Sequence, residues 1–155
     1  TLDLSMGGPG VDLFAFEDDH SPRYLYDMHD VDDPASWRRS VYRFIVRSVP
    51  DPLMETLDCA DPSQSVPVRN TTITALQSLA LLNNAFAVSQ ARHLAERVTR
   101  EASGLAGQIS RAHALVLGRP PLPEEQAVLV AYAQQHGLAN ACRVLFNSNE
   151  FMFVD

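Results

Sequence analysis

From Thr74 to Phe146 the apolar residues recur at helical spacing, and Gly104, Gly118 and Gly137 interrupt them. This pattern constrains the fold more than any other feature. Segments that each carry one apolar stripe must bury those stripes against one another, which makes a helical bundle. Thr74-Ala75-Leu76-Gln77 reads as a capping box opening the first helix, with Leu76, Leu79, Ala80 and Leu82 inward and Asn83-Asn84 as its break. A second helix over residues 86–102 turns Ala91, Leu94, Ala95 and Val98 inward. A third over 105–117 uses Leu105, Ile109, Ala112 and Val116 and ends at Gly118. Pro123-Glu124-Glu125 starts a fourth, acids at the positive end of its dipole, and it stops at Gly137. Leu138, Ala141, Cys142, Leu145 and Phe146 then stand at i, i+3, i+4, i+7 and i+8, and the apolar tail at 149–153 is expected to dock.

Upstream the signals change. Met6-Gly7-Gly8-Pro9-Gly10 is a loop, residues 17–33 read as an irregular acidic lead-in with at most a short extended piece around Arg23-Tyr24-Leu25-Tyr26, and Asp33-Pro34 offers an N-cap followed by Pro at the first helical position. Residues 39–47, RSVYRFIVR, favour a strand by their β-branched and aromatic content, although Trp37, Val41, Phe44 and Ile45 also sit at helical spacing. On either reading Arg39, Arg43 and Arg47 share a face, or nearly so. Prolines at 50, 52, 62 and 67 make residues 50–70 a long loop, of the kind that is functional or packed down. The expected fold is therefore α+β and mostly α, a helical bundle with a small β element near residues 39–47. Its 155 residues suit one domain, 1–33 as lead-in and 34–155 as core.

Composition removes several functions. The net charge is −7 and all 12 basic residues are Arg, which argues against a nucleic-acid partner. Without Lys there is no Schiff-base lysine, no Ser–Lys dyad and no P-loop lysine. No apolar run is long enough to span a bilayer. Thr1 in place of Met reads as the cut end of a longer chain. Two cysteines, Cys59 and Cys142, are too few for a disulfide framework, and neither a haem-attachment nor a zinc spacing is present. The run Asp27-Met28-His29-Asp30-Val31-Asp32-Asp33 departs from the calcium-loop template and reads better as a solvated acidic loop.

One dense polar cluster remains: Arg38, Arg39, Arg43 and Arg47, then Asp51, Glu55, Asp58 and Asp61, then Arg69 and Asn70. Guanidinium forks bind carboxylates, sulfates and other anions bidentately, so the row suits anion recognition. The nearly matched acids suit instead an internal lattice of Arg–carboxylate pairs pinning the loop. Two of the carboxylates could also serve as general acid and base, although no spacing in the sequence certifies that geometry.

The strings RRSVYRFIVRSVPDPLMETLDCADP, PVRNTTITALQSLALLNN, LGRPPLPEEQ and CRVLFNSNEFMFVD resemble the C-terminal part of domain of unknown function 1553, the planctomycete cytochrome-associated family. The likeness runs from about Gly7 to the end. Arg38, Arg39, Ser40, Tyr42, Asp58, Arg69, Asn70, Gln77 and Asn83 match its motif blocks, but the family brings no established catalytic residues. It implies an extracytoplasmic, multidomain bacterial parent in which a haem c, where present, lies upstream of this chain. Leu122 departs from the small hydroxyl residue usual before the Pro123 helix.

Two functions follow as expectations. The first is a non-catalytic scaffold or interaction module working with the rest of its own parent chain. It expects Arg39, Arg43 and Arg47 to be paired with acids and no open cleft between them. The second is a module that binds or degrades anionic polysaccharide through the Arg row.

Overall fold

The computed structural model describes residues 2–60, 65, 67 and 74–152, which fall into two compact units, Thr1–Thr74 and Ala75–Asp155. In the N-terminal unit, β1 (Ala15–Asp19) and β2 (Ser21–Leu25) form an antiparallel hairpin with Glu17 opposite Arg23. Aromatic side chains hold it. The Phe14 ring meets Tyr24, Tyr26 and Phe44 edge-on at centroid distances of 5.0, 5.6 and 6.1 Å. The lead-in is therefore not irregular throughout. Its turn is made by His20 at φ 60°, a left-handed position where a Gly or Asn would have announced the hairpin.

The β element is thus at 15–25, and residues 39–47 are not a strand. Ser40–Tyr42 is a 3-10 turn, and this stretch pairs with the N-terminus only through isolated parallel bridges, Asp3 with Arg38 and Val11 with Arg43. The bridges lie eight residues apart on one chain and five on the other, so no continuous register can join them. The Gly7-Gly8-Pro9-Gly10 loop takes up the excess, with Gly7 and Gly8 at φ 81° and 87°. Farther on, Asp33 caps a short 3-10 turn at Pro34–Ser36 as expected. Inside the long loop, Asp51 caps α1 (Pro52–Thr56), its Oδ1 accepting from Leu53 N and Met54 N.

The second unit is the expected bundle: α2 (Ala75–Asn83), α3 (Ala85–Glu101), α4 (Gly104–Leu117), α5 (Pro123–His136), α6 (Leu138–Phe146) and α7 (Asn149–Met152). Its core is built from Ala91, Ala95 and Val98 of α3, Ile109 and Ala112 of α4, Leu129 and Ala133 of α5, and Ala141, Cys142 and Leu145 of α6. Asn84 ends α2 and caps α3, and Gly118 closes α4 at φ 73°. The α2 stripe differs from expectation. Leu76 and Leu79 are exposed and Gln77 is buried, because apolar residues at 75, 76, 79, 80, 81 and 82 cover most of the helix and leave its inner face undefined by pattern. Both cysteines are free thiols, Cys59 exposed and Cys142 buried.

At the start of α5, Leu122 supplies no cap, and only the return half of a capping box forms, with Glu125 Oε2 accepting from Leu122 N at 2.7 Å. Leu122 is itself exposed and already has the extended backbone of an N-cap. Leu122→Ser is therefore expected to stabilise the helical unit by about 1 kcal/mol, measured by urea unfolding.

Candidate functional site

The four arginines of the row meet four different fates. The guanidinium carbon of Arg38 lies over the Tyr42 ring, 3.9 Å from its centroid, and the side chain reaches back to the N-terminal loop. It donates to the carbonyls of Gly7 at 2.7 Å and of Ser5 and Pro9 at 3.3 Å, with Asp3 at 3.6 Å. Tyr42 completes this clasp by accepting the Gly7 N–H at 2.9 Å. That bond, helped by Arg39 and Arg38, lowers the phenol's pKa. The guanidinium of Arg39 stands 5.9 Å from the centroid of the same ring. Arg43 donates to Asp51 Oδ2 at 3.2 Å, the two side chains about one-fifth exposed. Arg47 has neither an ion pair nor a hydrogen bond among the described residues.

Of the expected lattice, Arg43–Asp51 is thus a pair seen among the described residues. Because the Ser40–Tyr42 turn intervenes, Arg39 faces the Tyr42 ring, whereas Arg43 and Arg47 both border one cleft. Glu55 is exposed and unpaired among the described residues, and Asp58 follows α1 at φ 56°. Asp61, Arg69 and Asn70 lie outside the described residues. Asp51 is fully engaged by Leu53, Met54 and Arg43, so it offers no free oxygen for proton transfer. In the acidic run, Asp30 and Asp33 accept from the backbone N–H groups of Asp32 and Ala35 and so serve local turns.

Between these residues is an open cleft of about 600 Å³ within the N-terminal unit. Arg47 and Glu55 stand on its walls, and Val41, Phe44 and Ile45, all more than half exposed, give it an apolar surface. Tyr26 fixes one end by donating to the Val49 carbonyl at 2.8 Å. Burial, then the Asp51 charge, raises its pKa. The cleft contradicts the expectation of a closed lattice, and its physical origin is the missing strand. With only two bridges to hold it, the 39–47 stretch buries Val46 but keeps Val41, Phe44 and Ile45 outward.

A second polar cluster, in the helical unit, has no counterpart in the sequence reading. Arg119, just past the Gly118 cap, forks onto Glu125 at 2.8 and 2.9 Å and onto Glu150 of α7 at 2.7 Å through both oxygens. His113 is buried beneath it. Its Nδ1 is 2.9 Å from the Arg119 carbonyl oxygen and its Nε2 is 3.5 Å from Glu125. The Arg119 bonds, then the Leu122 N–H, hold the Glu125 carboxyl down at about 2, against an ordinary 4.5. Glu150 is lowered by Arg119 as well, and Glu101 by Arg97 and Arg111. A carboxylate depressed in the fold stabilises it above its ordinary pKa and loses that contribution as pH falls toward the folded value. The helical unit should therefore weaken as pH drops from about 4.5 to about 2. Thermal melts across that window should show a shallower decline for Arg119→Gln, leaving the part due to Glu101.

No group of three or more His, Cys, Asp or Glu among the described residues is arranged to hold a metal ion, and no described helix is long and apolar enough to cross a membrane. No curated protein and no solved structure matches the chain. The family model PSD1, described as a protein of unknown function (DUF1553), matches residues 1–133. The clasp, the cleft and the bundle are thus those of a member of the PSD1 (DUF1553) family, to which the chain belongs.

Proposed function

We propose that this chain is a non-catalytic interaction module of a larger extracytoplasmic bacterial protein, and that its working surface is the cleft of the N-terminal unit. The closed, fully paired scaffold expected from the sequence is set aside, and the module is read instead as one with an open binding surface. One observation carries this: Arg47 and Glu55, without partners among the described residues, stand beside exposed Val41, Phe44 and Ile45. An apolar patch rimmed by free charges of both signs is the make-up of a surface that is covered by something else. The extracytoplasmic setting, and a planctomycete-type haem c upstream, rest on the family likeness alone. The natural first partner is the upstream part of the parent protein. Calorimetry with that part as a separate chain should give binding that Arg47→Glu weakens about tenfold with no change in melting temperature. Absence of binding to it would remove the parent chain as the partner.

The free guanidinium of Arg47 favours a second reading, an anionic polysaccharide in the same cleft. Against it, Arg38, Arg39 and Arg43 are already engaged. Sulfated or carboxylated oligosaccharides whose binding is unaltered by Arg43→Ala and Arg47→Ala would end that reading.

A further inference from the structure

We infer that the ligand of the cleft is an extended peptide, added as a strand along the free edge of residues 43–46. The inference rests on the reading of the cleft as a binding surface and names the chemistry of its occupant. Val11 N donates to the Tyr42 carbonyl at 2.8 Å, and Phe44 N donates to the Val11 carbonyl at 2.9 Å. In an extended chain the N–H and C=O groups of successive residues point to opposite edges. Arg43 is extended, at φ −69° and ψ 133°, so Tyr42 and Phe44 face the bonded edge. Arg43 spends its own N–H on the Ser40 carbonyl at 3.0 Å, and an extended Phe44 would turn the groups of Ile45 to the other edge. Neither the N–H nor the C=O of Ile45 has a hydrogen bond among the described residues. Just beyond, Val49 N bonds the Val46 carbonyl at 3.2 Å, and this turn ends the edge. A free strand edge on the wall of a cleft is a template for another chain, and strand addition is a common mode of peptide recognition.

The side chains narrow the occupant further. Phe44 and Ile45, 53% and 51% exposed, both line the cleft and offer apolar surface to the side chains of an added strand. Arg47 and Glu55 place one charge of each sign at the walls. The complementary ligand alternates apolar residues with charged ones, an Asp or Glu meeting Arg47 and a Lys or Arg meeting Glu55. Among the described residues, an anionic glycan would find one free cation there and a carboxylate to repel it.

The test uses the whole chain and a set of short synthetic peptides with apolar residues at alternate positions and Glu, Lys or Ser between them. The expected binders carry an acid at one position, and Arg47→Glu shifts the preference there toward Lys by about tenfold. N-methylating single backbone amides of the best binder should weaken it about tenfold only at positions whose N–H faces the edge. A peptide indifferent to N-methylation would overturn the strand geometry while leaving the cleft a binding surface. If the peptides fail and a heparin or oligogalacturonate fragment binds in an Arg47-dependent way, the peptide assignment is overturned in favour of a glycan. Failure of peptides, glycans and the upstream chain alike overturns both this inference and the proposed function.

Discussion

Ile109→Ala is expected to lower the stability of the helical unit by about 2–5 kcal/mol, a large share of the ~5–15 kcal/mol that holds an ordinary domain. Ile109 has no exposed surface and sits in the cluster formed by α3, α4, α5 and α6. Many of its neighbours there are alanines, at 91, 95, 112, 133 and 141. Small side chains let helix backbones approach closely, but they leave few flexible atoms to move into a void. The cavity should therefore persist, which puts the loss toward the upper part of that range. Ile109→Val removes one methylene and should cost about 1 kcal/mol. Urea titration followed by circular dichroism reads both. A loss under ~1 kcal/mol for the alanine variant would mean that the helices close over the gap.

The second large effect is in the other unit. Arg38→Ala should detach the loop at residues 5–10 and destabilise the N-terminal unit by about 2–3 kcal/mol. The side chain is only 11% exposed, yet its guanidinium binds three carbonyls and covers a ring, so its loss strands acceptors and uncovers Tyr42 together. Arg38→Lys should recover little, since an ammonium lacks the planar fork that reaches several carbonyls at once. Hydrogen exchange provides the local measure. The Gly7 amide, bonded to the Tyr42 oxygen, should lose protection, whereas Ile109 and its neighbours in the bundle should keep theirs. Unchanged exchange at Gly7 would show that Tyr42 holds the loop alone.

The contrast between the units also explains what could be read from the chain. Gly118, Gly137, Pro123 and Asp33-Pro34 act through the backbone within a turn of themselves, so the helix ends they set were legible. The core stripes of α3, α4 and α6 were legible for the same reason, because their period is local. The hairpin was not, since its turn uses His20 and its aromatic contacts form only once the strands have paired. The arginines could be listed from the sequence, but their partners could not be assigned. Whether a given Arg is a clasp, a pair or a free group depends on carbonyls such as Gly7, 31 residues from Arg38. Glu150 is equally far from Arg119, and nothing in the local sequence of either announces the fork.

Cys142 gives this molecule an internal clock. Its sulfur is sealed in the bundle, and burial pushes its pKa up to about 11, so in the closed state it is both unreachable and protonated. A thiol reagent can modify it only while the helices are apart. Cys59, exposed beside the cleft, reacts without waiting. One untouched chain thus carries two labels on separate timescales: the fast one reports access to the cleft, and the slow one counts how often the bundle opens.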